Sequence, residues 1–231
     1  MKKDVRGIGQ INEYTIHSEL KTLYGSDGAE FEKAVGGYIV DVVRDDLLIE
    51  IQTAGFFSVK EKLQHLIKEH EVRLVYPLPA EKHLLIYDQN MEKLLYRRRS
   101  PKKGTYLDIV DEIIYILPVL LDTHFILEVL LTKEEEVRIF DGRGSWRRRG
   151  ISIHDRKLVK IIETRTFYNR EDYKSLLPED IPSRFTNRNL SELMGIPRSK
   201  AGKLTYCFRR LDILNVCGKE GNAHVFTMGV R

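Results

Sequence analysis

Apolar side chains recur at helical spacing near the start of the chain. Ile16, Leu20 and Leu23 share one face of residues 11–24, and Gly25 ends the run, which predicts an amphipathic helix. Residues 29–33 read as a short strand or turn. Residues 38–43 and 47–52 read as two strands, with Arg44, Asp45 and Asp46 supplying a hairpin turn between them. Leu63, Leu66 and Ile67 mark a second helix over residues 57–70. A strand over 72–76 is stopped by Pro77 and Pro79, and another covers 84–87. Helix, hairpin, helix, strand, strand describes a mixed α/β core of about 90 residues, enough to bury a modest interior.

Punctuation divides the rest. Arg97, Arg98 and Arg99 followed by Ser100-Pro101-Lys102-Lys103-Gly104 form the best linker candidate. A helix near 107–117, a hairpin across 126–140, a basic loop over 141–150 and a helix near 155–163 follow. Pro178 and Pro182 mark a second boundary. In 183–229, Thr186 can cap a helix through Met194, Gly195-Ile196-Pro197 makes a turn, and Ser199 can cap a helix to Leu211. A strand over 213–217, a turn over 218–222 and a return strand over 223–228 complete a unit that resembles a winged helix-turn-helix. The division expected is therefore 1–95, 96–180 and 181–231: a mixed-sheet α/β core, a basic α+β middle region and a winged-helix module.

Composition narrows the class. Of 231 residues, 42% are apolar and 31% charged, a foldable composition. No apolar stretch follows Met1-Lys2-Lys3-Asp4, and the apolar region from Ile113 to Leu131 is interrupted by Pro118, Asp122, His124 and Glu128. Neither a secretory signal nor a membrane helix is expected. Two cysteines, Cys207 and Cys217, build neither a disulfide framework nor a zinc site and read as small core residues; a reduced, cytoplasmic setting follows. The formal net charge of +4 is unevenly spread: residues 1–90 carry 11 basic and 15 acidic side chains, residues 91–231 carry 27 and 19.

The acidic half holds the most informative residues. Glu50 and Gln52 share one face of their strand, opposite Ile49 and Ile51. With a two-residue Asp45-Asp46 turn, Asp41 lies opposite Glu50 at a Cβ separation of about 5 Å; a three-residue turn would slip the pairing by one. Facing carboxylates repel unless one takes a proton or a cation sits between them. Mg²⁺ suits such a site, because it keeps several waters and takes one or two carboxylates. The plain alternative is a half-exposed hairpin with ordinary polar groups on its wet face.

Asp41 followed by Glu50-x-Gln52 on the next strand resembles the core of the PD-(D/E)XK nuclease superfamily, and the order of elements over residues 10–90 is similar. The resemblance implies a restriction-endonuclease-like fold, Mg²⁺ (or Mn²⁺) held by Asp41 and Glu50, and phosphodiester hydrolysis. Gln52 occupies the place usually held by lysine and would position water or phosphate; Lys60 or Lys62 could supply the missing cation. Members usually add an acidic residue from the first helix. Glu13 and Glu19 are the candidates, and the run from Glu13 through His17 to Lys21 resembles a nuclease-like helix in a way that favours Glu13. His17 reads as a packing or capping histidine.

The basic half supplies candidate phosphate contacts. Arg97–Arg99 with Lys102 and Lys103, and Arg143 with Arg147, Arg148 and Arg149, are concentrated enough for sequence-independent nucleic-acid binding, and Trp146 could stack on a base. In a DNA-binding winged helix, Arg198, Lys200 and Lys203 would enter the major groove and Lys219 would touch phosphate. The expectation is a metal-dependent DNA nuclease, with RNA not separated from DNA, no membrane partner and a homodimer where both strands are cut. The rival is a non-enzymatic DNA-binding regulator on an inactive nuclease-like fold.

Overall fold

A computed structural model describes residues 14–26 and 28–229. Helix α1 (Thr15–Tyr24) buries Ile16 and Leu20, as the spacing predicts, whereas Leu23 near its C-terminal end is exposed. Strands β1 (Glu30–Val35), β2 (Tyr38–Arg44) and β3 (Leu47–Ile51) form an antiparallel meander. The Asp45-Asp46 turn has two residues, because Arg44 pairs with Leu47, Val43 with Leu48 and Val42 with Ile49. The second helix is shorter than its apolar pattern suggests: a 3-10 turn (Phe56–Val59) leads into α2 (Lys60–Leu66). Strand β4 (Glu71–Tyr87) then lies parallel to β3, with Ile51 opposite Val75.

Beyond this point several elements differ from the sequence reading. β4 continues through Pro77 and Pro79 instead of stopping. Those prolines fall where β4 has lost β3 and has not yet gained β5 (Leu94–Arg99), which first pairs at His83, so one edge needs no ladder donor there. A register shift between Pro79 and Glu81 absorbs the irregularity. Arg97–Arg99 are consequently strand residues, not a linker, and the boundary expected at 95 falls inside β5. The expected helix near 107–117 is a 3-10 turn (Tyr106–Ile109) continuing into α3 (Val110–Ile113).

Residues 126–140 make one strand, β6 (Phe125–Phe140), not a hairpin. The helix expected over 155–163 is part of β7 (Ile151–Phe167), the sheet edge beside β6. Three register shifts along β6–β7 break the side-chain alternation that would have identified the strands. One seven-stranded mixed sheet thus spans both regions expected as separate, in the order β1-β2-β3-β4-β6-β7 with β5 on the far half of β4.

On one face α1 packs over Val42, Ile49, Ile51, Val75 and Leu130. The larger core lies on the other face. It includes Leu63, Val110, Ile113, Leu74, Leu127 and, from the C-terminal region, Leu190, Leu204 and Phe208. That region comprises α4 (Arg170–Lys174), β8 (Phe185–Thr186), α5 (Asn187–Met194), α6 (Arg198–Arg210), β9 (Leu214–Glu220) and β10 (Ala223–Met228). Thr186 caps α5, its Oγ1 accepting from the Asn189 amide at 3.3 Å. Pro197, not Ser199, stands at the N-cap of α6, and β9 reaches Glu220, leaving Gly221 and Asn222 as the turn. Cys207 is buried as expected, whereas Cys217 is exposed. Among the described residues, no helix is long and apolar enough to cross a membrane.

Polar side chains on β6 are held inside the sheet by long-range partners. Glu134 is fully buried, with Oε2 accepting from Arg156 Nη2 at 2.9 Å and Oε1 from Thr132 Oγ1 at 2.7 Å. Glu136 accepts from Lys82 Nζ at 2.7 Å and Arg138 Nε at 2.7 Å. Removing one member of a buried ion pair strands the other charge. Arg156→Met is therefore expected to lower the unfolding free energy by about 3–5 kcal/mol, read as a fall in the urea midpoint. Arg156→Met with Glu134→Leu should recover most of that loss.

Candidate active site

The carboxylate hairpin forms, with two changes of detail. Pairing between β2 and β3 ends at Val42 and Ile49, one step short of Asp41 and Glu50. At that step the Asp41 carboxylate takes up the ladder's role: Oδ2 accepts from the Ile51 amide at 2.8 Å. Asp41 then faces α1. Its Oδ1 lies 3.1 Å from Lys21 Nζ, and its Oδ2 lies 3.3 Å from His17 Nε2. His17 Nε2 is also 3.0 Å from the Ile51 carbonyl oxygen. Both neighbours are acceptors, so that nitrogen carries the proton.

Glu50 is buried and faces α2. Its Oε1 lies 2.5 Å from Lys62 Nζ, which also donates to the Ile39 carbonyl. Its Oε2 is buried with no hydrogen-bond partner among the described residues. The positive charge assigned to a bridging ion in the sequence reading is thus carried here by Lys21 and Lys62, one on each carboxylate. Of the two lysines proposed for the missing cation, Lys62 is the one that reaches Glu50.

Burial works against ionisation at both acids, with different outcomes. At Asp41 it is outweighed by the hydrogen bond and charge of His17, the Ile51 amide and Lys21, which together hold the carboxyl below the ordinary range. At Glu50, burial followed by the negative charge of Asp41 prevails over Lys62, and the carboxyl is pushed up to about 7.

Gln52 does not reach into this pair. Its amide nitrogen donates to the carbonyls of Ala54 and Gly55 and lies 3.1 Å from Ser58 Oγ, so it clips the turn after β3. Glu19 also has other work: its Oε2 accepts from the Leu158 amide of β7 at 2.7 Å. Asp155 of that strand accepts from the Thr15 amide at 2.8 Å, satisfying a free donor at the start of α1. Glu13 lies outside the described residues. Lys21 closes the run from Glu13 through His17 but was given no role in the sequence, and its i, i+4 spacing from His17, which places both on one helix face, is the signal that could have put it beside Asp41.

Two basic cavities lie along the sheet beyond the hairpin. The first, about 300 Å³, is lined by Thr53, Tyr76, Lys82, Lys102, Arg138 and Arg156 among others. The second, about 380 Å³, shares Arg138 and includes Arg98, Arg147, Arg148 and Arg149. The C-terminal lysines are placed differently from the sequence expectation. Lys200 Nζ binds Asp108 and lies 3.6 Å from Asp111, and Lys203 Nζ lies 2.7 Å from Asp111. These ion pairs join α6 to the α3 region; Lys200 is half-buried and Lys203 exposed. Arg198 and Lys219 are exposed.

A divalent ion at Asp41 and Glu50 is compatible with the residues present. The unpartnered buried Oε2 of Glu50 is a hard oxygen donor beside a second carboxylate, and Mg²⁺ takes one or two carboxylates. Among the described residues, no group of three or more His, Cys, Asp and Glu gathers as metal ligands would.

Glu50 gives stability a pH dependence of known sign. The folded carboxyl keeps its proton up to about 7, whereas an ordinary glutamate releases it near 4.5. The native state therefore binds more protons in between, and stability falls as pH rises through that window. Asp41 acts in the opposite sense and below 3.8, outside that window. Urea unfolding of the wild type should lose on the order of 3 kcal/mol between pH 4.5 and 7, while Glu50→Gln should remove most of this slope.

An uncharacterized protein of Treponema pallidum (strain Nichols) is 28% identical over 186 residues, covering 80% of this chain and 74% of that protein. No solved structure matches the chain. A family model described as a domain of unknown function, DUF8091, matches residues 14–168, from the residue before α1 to the residue after β7. This match takes in the whole large sheet, both hairpin carboxylates and both basic cavities, and the chain belongs to the DUF8091 family.

Proposed function

We propose that the protein is a metal-dependent phosphodiesterase that cleaves nucleic acid, DNA in the first instance, at Asp41 and Glu50. The observation that carries this reading is a carboxylate pair across β2 and β3, Asp41 partly buried and Glu50 buried, in which Glu50 Oε2 has no hydrogen-bond partner among the described residues and Lys62 stands at Oε1. Support also comes from the order of elements: helix, antiparallel meander, helix and a strand parallel to β3. The same order accompanies the resemblance to the PD-(D/E)XK nucleases.

In this reading Asp41 and Glu50 hold Mg²⁺ or Mn²⁺. The ion, when bound, would polarise a phosphoryl oxygen and lower the pKa of a bound water. The chain's own groups do the rest. His17 and the Ile51 amide fix the Asp41 carboxylate through hydrogen bonds. Lys62, which stands at Glu50 Oε1, would neutralise a phosphate brought to the pair. Hydrolysis forms one P–O bond from water and breaks the P–O bond to the leaving sugar oxygen. Gln52 keeps its structural place in the turn. Arg147, Arg148 and Arg149, with exposed Arg198 and Lys219, provide phosphate contacts outside the site. Because a metal ion would compete with the Glu50 proton, activity is expected to rise from pH 6 to 8.

One observation favours a second reading. Each carboxylate already has a lysine, and a site balanced in this way could be a remnant inside a non-enzymatic nucleic-acid-binding protein. Cleavage separates the two. Plasmid DNA and a structured RNA, incubated with Mg²⁺ or Mn²⁺, should be cut by the wild type. Asp41→Asn, Glu50→Gln and Lys62→Met should each lose 100-fold or more, roughly the scale of losing an electrostatic catalytic group, whereas Gln52→Ala should retain most activity. Binding without cleavage under either metal selects the second reading, and equal cleavage by Asp41→Asn rejects the site.

A further inference from the structure

The second basic cavity is built from three separate segments. Arg98 comes from β5, Arg138 from β6, and Arg147, Arg148 and Arg149 from the loop between β6 and β7, over the apolar Ile86, Tyr96 and Ile151. Alternation along β5 sorts its arginine run. Arg97 and Arg99 share one face and have carboxylate partners, Glu135 at 2.9 Å and Glu81 at 3.5 Å. Arg98 points the other way, into the cavity.

Charge at the cavity is strongly unbalanced. Glu136 neutralises Arg138 at 2.5 Å but also serves Lys82. Arg148 spends its Nε on the Ile151 carbonyl at 3.2 Å. Arg98, Arg147 and Arg149 make no ion pair among the described residues. The nearby acids are engaged elsewhere: Glu134 with Arg156, and Asp141 with the Arg143 amide and Ser152. Guanidinium groups crowded in this way repel one another unless an anion joins them.

The loop is shaped to keep them there. A Cβ on Gly144 would stand 1.9 Å from the Ile151 carbonyl oxygen, and Gly150 holds a φ of +77°. The backbone therefore folds tightly against the start of β7 and brings three consecutive arginines to the same opening. Guanidinium forks match phosphate oxygens bidentately, and the cavity of about 380 Å³ has room for a compact polyanion.

We propose that this cavity binds the terminal phosphates of a polyanionic ligand: the phosphate chain of a nucleoside triphosphate, or the phosphorylated end of a nucleic-acid strand. The site is separate from Asp41 and Glu50, and binding there does not require hydrolysis. Its assay is intrinsic, because the chain's single tryptophan, Trp146, sits in the loop with the Arg147 guanidinium 5.5 Å from its ring centre.

Trp146 fluorescence of the full chain should be titrated without metal, using inorganic triphosphate, a nucleoside triphosphate, and matched oligonucleotides bearing a 5′-phosphate or a 5′-hydroxyl. Saturable binding of triphosphate, weakened tenfold or more by Arg98→Gln and by Arg149→Gln, is the expected result. Response to nucleoside triphosphate identifies the free-nucleotide source. Response only to the 5′-phosphorylated oligonucleotide, with the same losses in both variants, identifies the strand end. Equal binding of both oligonucleotides without triphosphate binding would overturn the proposal, as would no response or unchanged affinity in the variants. Unaltered far-ultraviolet circular dichroism of the two variants, whose side chains are on the surface, confirms that a loss reflects the site.

Discussion

The structure depends on holding two neighbouring carboxylates, Asp41 partly buried and Glu50 buried, at the open end of the β2–β3 hairpin. Neither could stay there alone. Asp41 survives as an anion because α1 brings Lys21 and His17 to it and β3 offers the Ile51 amide. Glu50 is held by Lys62 from α2 on the other side and tends to keep a proton. Both layers around the sheet are therefore tied to the same charge cluster. The α1 layer is fixed further by Asp155 and Glu19, which join the helix to the edge strand β7. Loss of one ion-pair partner would leave a buried charge uncompensated, a larger penalty than loss of the pair together.

The parts legible in the sequence were those set by local chemistry. The Asp45-Asp46 turn and the apolar positions around it define the hairpin, and the observed register follows from that turn. Thr186, Gly195 and Pro197 likewise mark the ends of α5 and the start of α6. The illegible parts depend on distant partners. Glu134 and Glu136 lie within the stretch read as a hairpin, and Arg156, Lys82 and Arg138 are the distant partners that hold them in a single strand. β7 lacks clean alternation because its pairing with β6 shifts three times. Gln52 occupied the position of a catalytic lysine in the linear motif, yet its amide is used within its own turn while Lys62 reaches the carboxylate from the helix.

The far half of the sheet gives the basic character of the chain a structural meaning. Long β4 and β6 extend past the hairpin and carry β5 and the glycine-shaped loop, so the arginines form cavities instead of a solvated linker. The C-terminal helices use Lys200 and Lys203 to dock against Asp108 and Asp111 and share the main apolar core. Residues expected to read DNA therefore help hold the module to the sheet, which shifts the candidate phosphate contacts to the β6–β7 loop and to the exposed Arg198 and Lys219.

The central proposal is that the hairpin carboxylates hold a divalent ion. Mn²⁺ binding measured by electron paramagnetic resonance at pH 8, above the value near 7 reached by Glu50, addresses that proposal without relying on turnover. The account predicts saturable Mn²⁺ binding to the wild type, competed by Mg²⁺ and abolished in both Asp41→Asn and Glu50→Gln. Absence of saturable binding in the wild type, or equal binding in the two variants, would contradict it.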